Sequence, residues 1–275
     1  MLKQSRLYLR LKASPLYDIY WGVRNARFIA DREKEVQFYR ELLIGLMPQD
    51  LIFDIGANAG DKTDVFLRVG ARVVAVEPDP CNQRILHGKF LSFRIRPKPV
   101  SVVGQAVSEA TGVETMWVDG PGSALNTLSQ KWVDALHQDG ARIHDRENDF
   151  HFSQKRTVET TSLDHLIMKY GRPAFIKIDV EGYELSVLRG LHQPVSFLSF
   201  EVNLPEFREE GLECVRILAN LSPSGKFNFT ADCKEGLALK EWIDCASFEK
   251  VFERCDEKSI EIFWRNLSYE TQRAG

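Results

Sequence analysis

Residues 51–60 (LIFDIGANAG) place an acid, two glycines and an asparagine at the end of a short apolar run. Such a run suits a strand buried on both faces, and residues 61–69 behind it read as a helix. Glycines between strand and helix let a ligand approach the backbone, because no Cβ stands in the way. The helix N-terminus then offers free N–H groups. The spacing Asp54-x-Gly56-x-Asn58-x-Gly60 differs from the G-x-G-x-x-G of a dinucleotide site. A carboxylate at Asp54 repels a pyrophosphate and attracts an ammonium. A second apolar run, residues 72–76, ends in Glu77-Pro78-Asp79, and an acid there accepts hydrogen bonds from both hydroxyls of a ribose. A third, residues 100–107, breaks at Gly104-Gln105 near its carboxyl end, where side chains face an adenine. A ligand with a ribose, an adenine and an amino-acid tail but no phosphate meets all of these conditions, and S-adenosylmethionine is that ligand.

Further along, residues 174–179 form a fourth strand ending in Asp179, with Glu181 in the following turn, and residues 195–202 a fifth, with Glu201 and Asn203 at its exit. Methyl transfer from a sulfonium is an in-line displacement in which the cofactor carries its own activation, so the protein mainly aligns the acceptor. A hydroxyl acceptor must also lose its proton to a base within hydrogen-bond reach. Asp179, Glu181 and Glu201 are the candidates, with His137, His144 and His151 of the intervening segment. Asp179, Glu201 and Asn203 also make an oxygen-rich set suited to Mg2+, which lowers a hydroxyl's pKa. The sequence leaves base and metal ligand open. For Glu181 and Glu184 the plain alternative is a helix N-terminal turn favoured by the macrodipole.

Strands alternating with helices predict an α/β fold with a mostly parallel sheet and helices on both faces. Apolar residues recur at helical spacing over 31–47, ahead of Pro48. This predicts a helix that closes over the ligand end of the sheet or packs along its edge. Further helices are expected over 80–89, 161–170 and 205–221, and an additional strand over 113–118. Residues 227–229 and 260–264 read as a closing pair of strands, with 241–253 a helix or a loop between them. Residues 119–157 are the least regular part. They open on Gly120-Pro121-Gly122, with a helical middle over 128–136, and long irregular segments in compact domains often serve as lids or substrate loops.

A chain of 275 residues with 44% hydrophobic content fills one elaborated domain. It divides into an N-terminal extension, 1–50, and a catalytic domain, 51–275, that carries the 119–157 insertion. The net charge of −3 argues against a general nucleic-acid binder. No apolar run is long enough to span a membrane. The start lacks a signal core, which predicts a cytoplasmic location. Lys3, Arg6, Arg10 and Lys12 interleave with Leu7, Leu9 and Leu11, as in a segment lying on an acidic membrane, but the stretch is short and a terminal extension is the preferred reading. The five cysteines form no C-x-x-C pair and read as reduced thiols.

Residues 53–60 (FDIGANAG), 76–79 (VEPD), 106–108 (AVS) and 176–184 (IKIDVEGYE) together resemble the FkbM family of S-adenosylmethionine-dependent methyltransferases, over about residues 51–203. The 176–184 motif after the TSLD helix is the most specific. The resemblance implies a class I methyltransferase Rossmann-like fold, a seven-stranded sheet of order 3-2-1-4-5-7-6 with the seventh strand antiparallel. It implies O-methylation of a saccharide or polyketide hydroxyl. It also implies that Gly56, Asn58 and Gly60 border the methionine moiety, Asp54 contacts the amino-acid tail, Glu77, with Asp79 of the same motif, holds the ribose, and Gln105 and Ala106 line the adenine pocket. A small-molecule or glycan acceptor is the expected partner. The competing readings are a protein or nucleic-acid acceptor, and a non-catalytic cofactor-binding member that acts through a partner.

Overall fold

A computed structural model describes residues 26–90, 99–138, 152 and 154–266. The basic N-terminal stretch, His144 and His151 lie outside these residues. In chain order the elements are α1 (Ala26–Leu42), β1 (Leu51–Ile55), α2 (Asp61–Val69), β2 (Arg72–Val76), α3 (Pro80–Lys89), β3 (Val100–Val103), β4 (Ala106–Val107), β5 (Gly112–Val118) and α4 (Gln130–Gln138). They continue with β6 (Gln154–Thr161), α5 (Leu163–Tyr170), β7 (Phe175–Ile178), α6 (Glu184–Arg189), β8 (Phe197–Asn203), α7 (Arg208–Leu221), β9 (Lys226–Thr230), α8 (Cys245–Glu253) and β10 (Ser259–Arg265).

The main sheet runs β3-β2-β1-β7-β8-β10-β9. Counting only its own strands in chain order, this is 3-2-1-4-5-7-6. The first five are parallel, and β10 is antiparallel to both neighbours. The expected fold class is the observed one.

Period-two alternation divides the core between the two faces of this sheet. Leu51, Phe53, Ile55, Ile176, Ile178, Leu198, Phe200, Ile262 and Trp264 face one side and share a core with α4 to α8. Ile52, Val73, Phe175, Phe197 and Phe263 face the other and pack against α1 and α2 through Val36, Phe38, Tyr39, Val65 and Phe66. The Tyr39 ring meets Phe66 edge-on at 5.0 Å.

Three expectations are corrected. The first helix is 26–42 rather than 31–47, because Gly45 takes a left-handed turn (φ 92°) before Pro48 is reached. The third strand is split: Val100–Val103 pairs with β2, whereas Ala106–Val107 crosses to pair with β6 in a small β4-β6-β5 sheet. Within 119–157, residues 154 onward are strand rather than loop: β6 pairs with β5 along its whole length. The helical middle of that segment is observed as α4. Among the described residues no helix is long and apolar enough to cross a membrane.

Candidate active site

The β1–α2 turn is built as its glycines require. Gly56 sits at φ 82°, and a Cβ there would lie 1.7 Å from the Asp179 carbonyl oxygen. The turn therefore abuts the end of β7 with no room for a side chain. Asn58 is also left-handed, at φ 47°, as asparagine tolerates. Its N–H donates to Glu77 Oε2 at 2.8 Å, and the Asp79 N–H donates to Glu77 Oε1 at 2.7 Å. Two backbone donors thus fix the Glu77 carboxylate at the end of β2. Burial nevertheless pushes its pKa up to about 7.

A cavity opens over these ends, lined by Gly56, Asn58, Glu77, Gln105, Ala106 and, at its far side, Asp179 and Glu181. Ser123 to Leu128 contribute to the wall, apart from Leu125. So the first part of the 119–157 insertion covers the side where Gln105 and Ala106 lie. Tyr183 also reaches it and donates its hydroxyl to Glu114.

Three residues expected here do not line it. Asp79 is fully buried and caps α3, accepting from the Cys81 N–H at 2.9 Å. Its other oxygen takes the Gly122 N–H at 2.7 Å and the Asn126 side-chain amide at 2.8 Å, while Arg156 pairs with the capping oxygen at 3.3 Å. Asp79 is an anchor for the covering loop. Asp54 is turned to the Thr63 hydroxyl of α2, and burial raises its pKa to about 6. Gly60 caps α2 in a left-handed conformation (φ 81°), and a Cβ there would meet Phe90 at 2.6 Å. It serves close packing against α3.

Asp179 also lines a second cavity, of about 330 Å3, on the α1/α2 side. Its floor follows from strand register. On this face the aromatic layer of Phe175, Phe197 and Phe263 is followed, two residues along each strand, by Lys177, Ser199 and Glu261. Asp54 stands beside Lys177 on β1, and Glu201 pairs with Glu261 across β8 and β10. A fold alone has no use for so many ionisable groups at one level, since buried charge is costly unless paired.

Here the groups are paired. Lys177 is 3% exposed and donates to Asp179 at 3.0 Å. Burial opposes the Lys177 charge, but Asp179, Glu261 and Glu201 around it hold its pKa well above the ordinary value. Burial likewise opposes the Asp179 charge, and Lys177 holds that pKa below the ordinary carboxylate range. Glu261 accepts from Ser199 at 2.6 Å and from Tyr39 at 3.2 Å. Burial resists its charge too, and Lys177 and Lys62 keep its pKa low. Glu201, which accepts from Ser259 at 2.6 Å, is pushed well up by burial and by Asp179. Glu181 is pushed up by burial and by Glu201, Asp179 and Glu184. Within this group Asp179 is held below the ordinary carboxylate range and Glu201 and Glu181 above it, so Asp179 is the member that gives up its proton most readily.

The Mg2+ expectation does not fit this site. The Lys177 ammonium holds Asp179, and Asn203 lines neither cavity. Among the described residues no three His, Cys, Asp or Glu side chains converge on one point. His137 lies against Phe152 at 5.9 Å, away from both cavities. Glu184 opens α6, where its Oε1 accepts from the Val180 and Gly182 N–H groups at 3.1 and 3.3 Å.

The family model described as methyltransferase FkbM domain matches residues 54–229. A probable ribosomal RNA small subunit methyltransferase A of Methanosarcina acetivorans is 33% identical over 76 residues, which is 27% of this chain and 27% of that protein. The chain thus aligns with about a quarter of that relative's length. A TehB-like SAM-dependent methyltransferase from Corynebacterium glutamicum superposes with a TM-score of 0.44 at 9% identity, over 92% of this chain and 100% of the other. A precorrin-6y C5,15-methyltransferase from Geobacter metallireducens gives 0.38 at 10% identity, over 85% and 86%.

Proposed function

The chain belongs to the FkbM family of S-adenosylmethionine-dependent methyltransferases, and from that premise we propose that it methylates a hydroxyl group of a saccharide or a related polar metabolite. The observation that carries this reading is Asp179, a carboxyl group held by Lys177 on the wall common to the two cavities.

The first cavity fits the cofactor. Glu77 supplies the ribose acceptor, and the apolar walls of Val76, Ala106, Val107 and Leu128 suit an adenine. As it stands this cavity measures about 140 Å3, below the ~300 Å3 at which small-molecule pockets begin. Loading the cofactor therefore requires this cavity to widen.

When bound, the cofactor supplies an electrophilic methyl carbon whose bond to sulfur breaks, with its electron pair staying on sulfur, as the acceptor oxygen attacks. Asp179 takes the hydroxyl proton, and Lys177 holds the carboxylate in place for it. The second cavity takes the acceptor. Its lining is dominated by charged and polar side chains, with Val65, Ala231 and Ile260 the aliphatic exceptions. A polyhydroxylated acceptor matches such walls better than an apolar polyketide.

Incorporation of labelled methyl into a panel of saccharides, nucleotide-sugars, polyketides, protein and RNA tests this. Label on a saccharide oxygen supports the reading. Label confined to a polymer or a polyketide, or none despite cofactor binding, overturns it.

A further inference from the structure

A third cavity, of about 870 Å3, lies on the same α1/α2 side of the sheet as the acceptor cavity but at the other end of the parallel strands. Phe197 of β8 and Arg265 of β10 stand opposite one another in its floor. Phe38, Leu42 and Leu43, from α1 and the turn after it, form one wall, and Leu237, Leu239 and Trp242 of the β9–α8 connection form the other. It shares no lining residue with the two cavities already described.

The lining is mostly apolar and has a basic corner. The Arg265 guanidinium lies over the Trp242 ring at 4.7 Å. Its Nε is covered and has no hydrogen-bond partner, and among the described residues no carboxylate pairs with Arg265 or with Lys240, the second base of the lining. Glu41 is the one acid there among the described residues, and it accepts instead from the Gln37 amide at 2.7 Å. Ser196, also of the lining and 6% exposed, has a hydroxyl without a partner. Buried polar groups are normally satisfied, and charge withdrawn from water is costly until it is paired. In the acceptor cavity every base has its acid: Arg32 has Asp64, Lys62 has Glu35, Lys177 has Asp179 and Lys234 has Asp232. In this cavity neither base has one.

We infer that this cavity binds a single-chain amphipathic carboxylate, with its apolar chain between α1 and the β9–α8 connection and its head on Arg265 and Lys240. A carboxylate meets a guanidinium through parallel charge-assisted hydrogen bonds, which an alcohol cannot match. The volume falls within the ~300–1,000 Å3 usual for small-molecule sites. Ile44, 87% exposed on the lining, extends the apolar surface outward. The site stands apart from the donor and acceptor assignments above, so its failure would leave them untouched.

The test is calorimetry of the full chain with dodecanoate, held below its micelle concentration, beside dodecanol, dodecylamine and acetate. The carboxylate should bind about tenfold or more tightly than the alcohol or the amine, and acetate should not saturate. Arg265→Gln should weaken dodecanoate by about tenfold or more, whereas Arg265→Lys should keep most of the affinity. Lys240 is exposed, so Lys240→Gln folds and should bind several-fold more weakly. A brominated dodecanoate should quench tryptophan fluorescence, and much less so in Trp242→Phe. Thermal unfolding checks that each variant is folded, and if the Arg265 variants are not, Lys240→Gln and the quenching decide. Equal binding of the alcohol or the amine, no saturable binding of dodecanoate, or full affinity in a folded Arg265→Gln protein overturns the inference. So does quenching that persists in Trp242→Phe, which places the chain elsewhere. Vesicles containing a fatty acid form the second arm: retention on them without binding of the monomeric acid assigns the patch to a membrane surface and overturns the enclosed site. A dimer that dodecanoate neither binds nor disperses assigns the apolar walls to a second copy and overturns it likewise.

Discussion

Asp179 lines both cavities, so under the proposed assignment of donor and acceptor its replacement should separate binding from chemistry. Asp179→Asn keeps the size and loses the base. Turnover is expected to fall by roughly a hundredfold or more, with the cofactor Kd from calorimetry little changed. Gly56 is the opposite case. A methyl group there meets a backbone carbonyl at 1.7 Å, in a left-handed conformation. Gly56→Ala should destabilise the protein by roughly 2–4 kcal/mol and abolish cofactor binding, read by denaturant unfolding and calorimetry.

Glu184 gives a pH signature. Burial raises its pKa to about 7 from an ordinary 4.5, so the unfolded chain releases this proton first. The native state loses stability as pH rises from about 4.5 to about 7. The loss attributable to this residue is at most about 3 kcal/mol. Glu184→Gln keeps the oxygen that accepts both N–H groups and removes the titration. Its Tm should decline less over that interval than the wild type's. The acid at the end of β2 and the glycine turn were legible in the sequence because both are local. Asp79 was assigned to the cofactor because it shares that acid's motif, and its real partners, Gly122, Asn126 and Arg156, are more than forty residues away.

Among the elements, the small β4-β6-β5 sheet and the loop that precedes α4 are what sequence periodicity described least well. The β6 sequence QKRTVETT has a single strongly apolar residue, Val158, and its exposed face looks like loop. Its partners make it a strand, chiefly β5, through the pairing from Gly112–Thr160 to Val118–Gln154. The covering loop is held to the main sheet at Asp79. Asp79→Ala removes an α3 cap and two loop contacts at once. The cap alone is worth ~1 kcal/mol. Beyond that loss, the KM for the cofactor should rise several-fold more than kcat falls, because the loop forms the cavity wall and takes no part in proton transfer. A kcat loss with unchanged KM in steady-state assays would contradict this role.

For the molecule as a whole, a mostly parallel sheet followed from the alternation of elements, and its strand order from the family resemblance alone. The ionisable floor did not, because it arises only when register aligns Lys177, Ser199, Glu201 and Glu261 across three strands. Apart from Glu201, singled out by its place near a strand exit, each of these residues alone reads as an ordinary polar position. Occupying the first cavity should stabilise the fold: S-adenosylhomocysteine at a hundredfold excess over its Kd should add about 2.7 kcal/mol, visible as a higher Tm. The cavity walls also divide along the chain. Every residue lining the cofactor cavity lies within 54–229, the stretch matched by the family model. Much of the acceptor cavity comes from outside it: Asp31, Arg32 and Glu35 of α1, the loop at 230–234, and Ser259 to Glu261 of β10. If the two cavities serve as proposed, donor handling and acceptor choice are written largely in different parts of the gene. Grafting the flanking segments onto a relative would retarget the enzyme without rebuilding its engine.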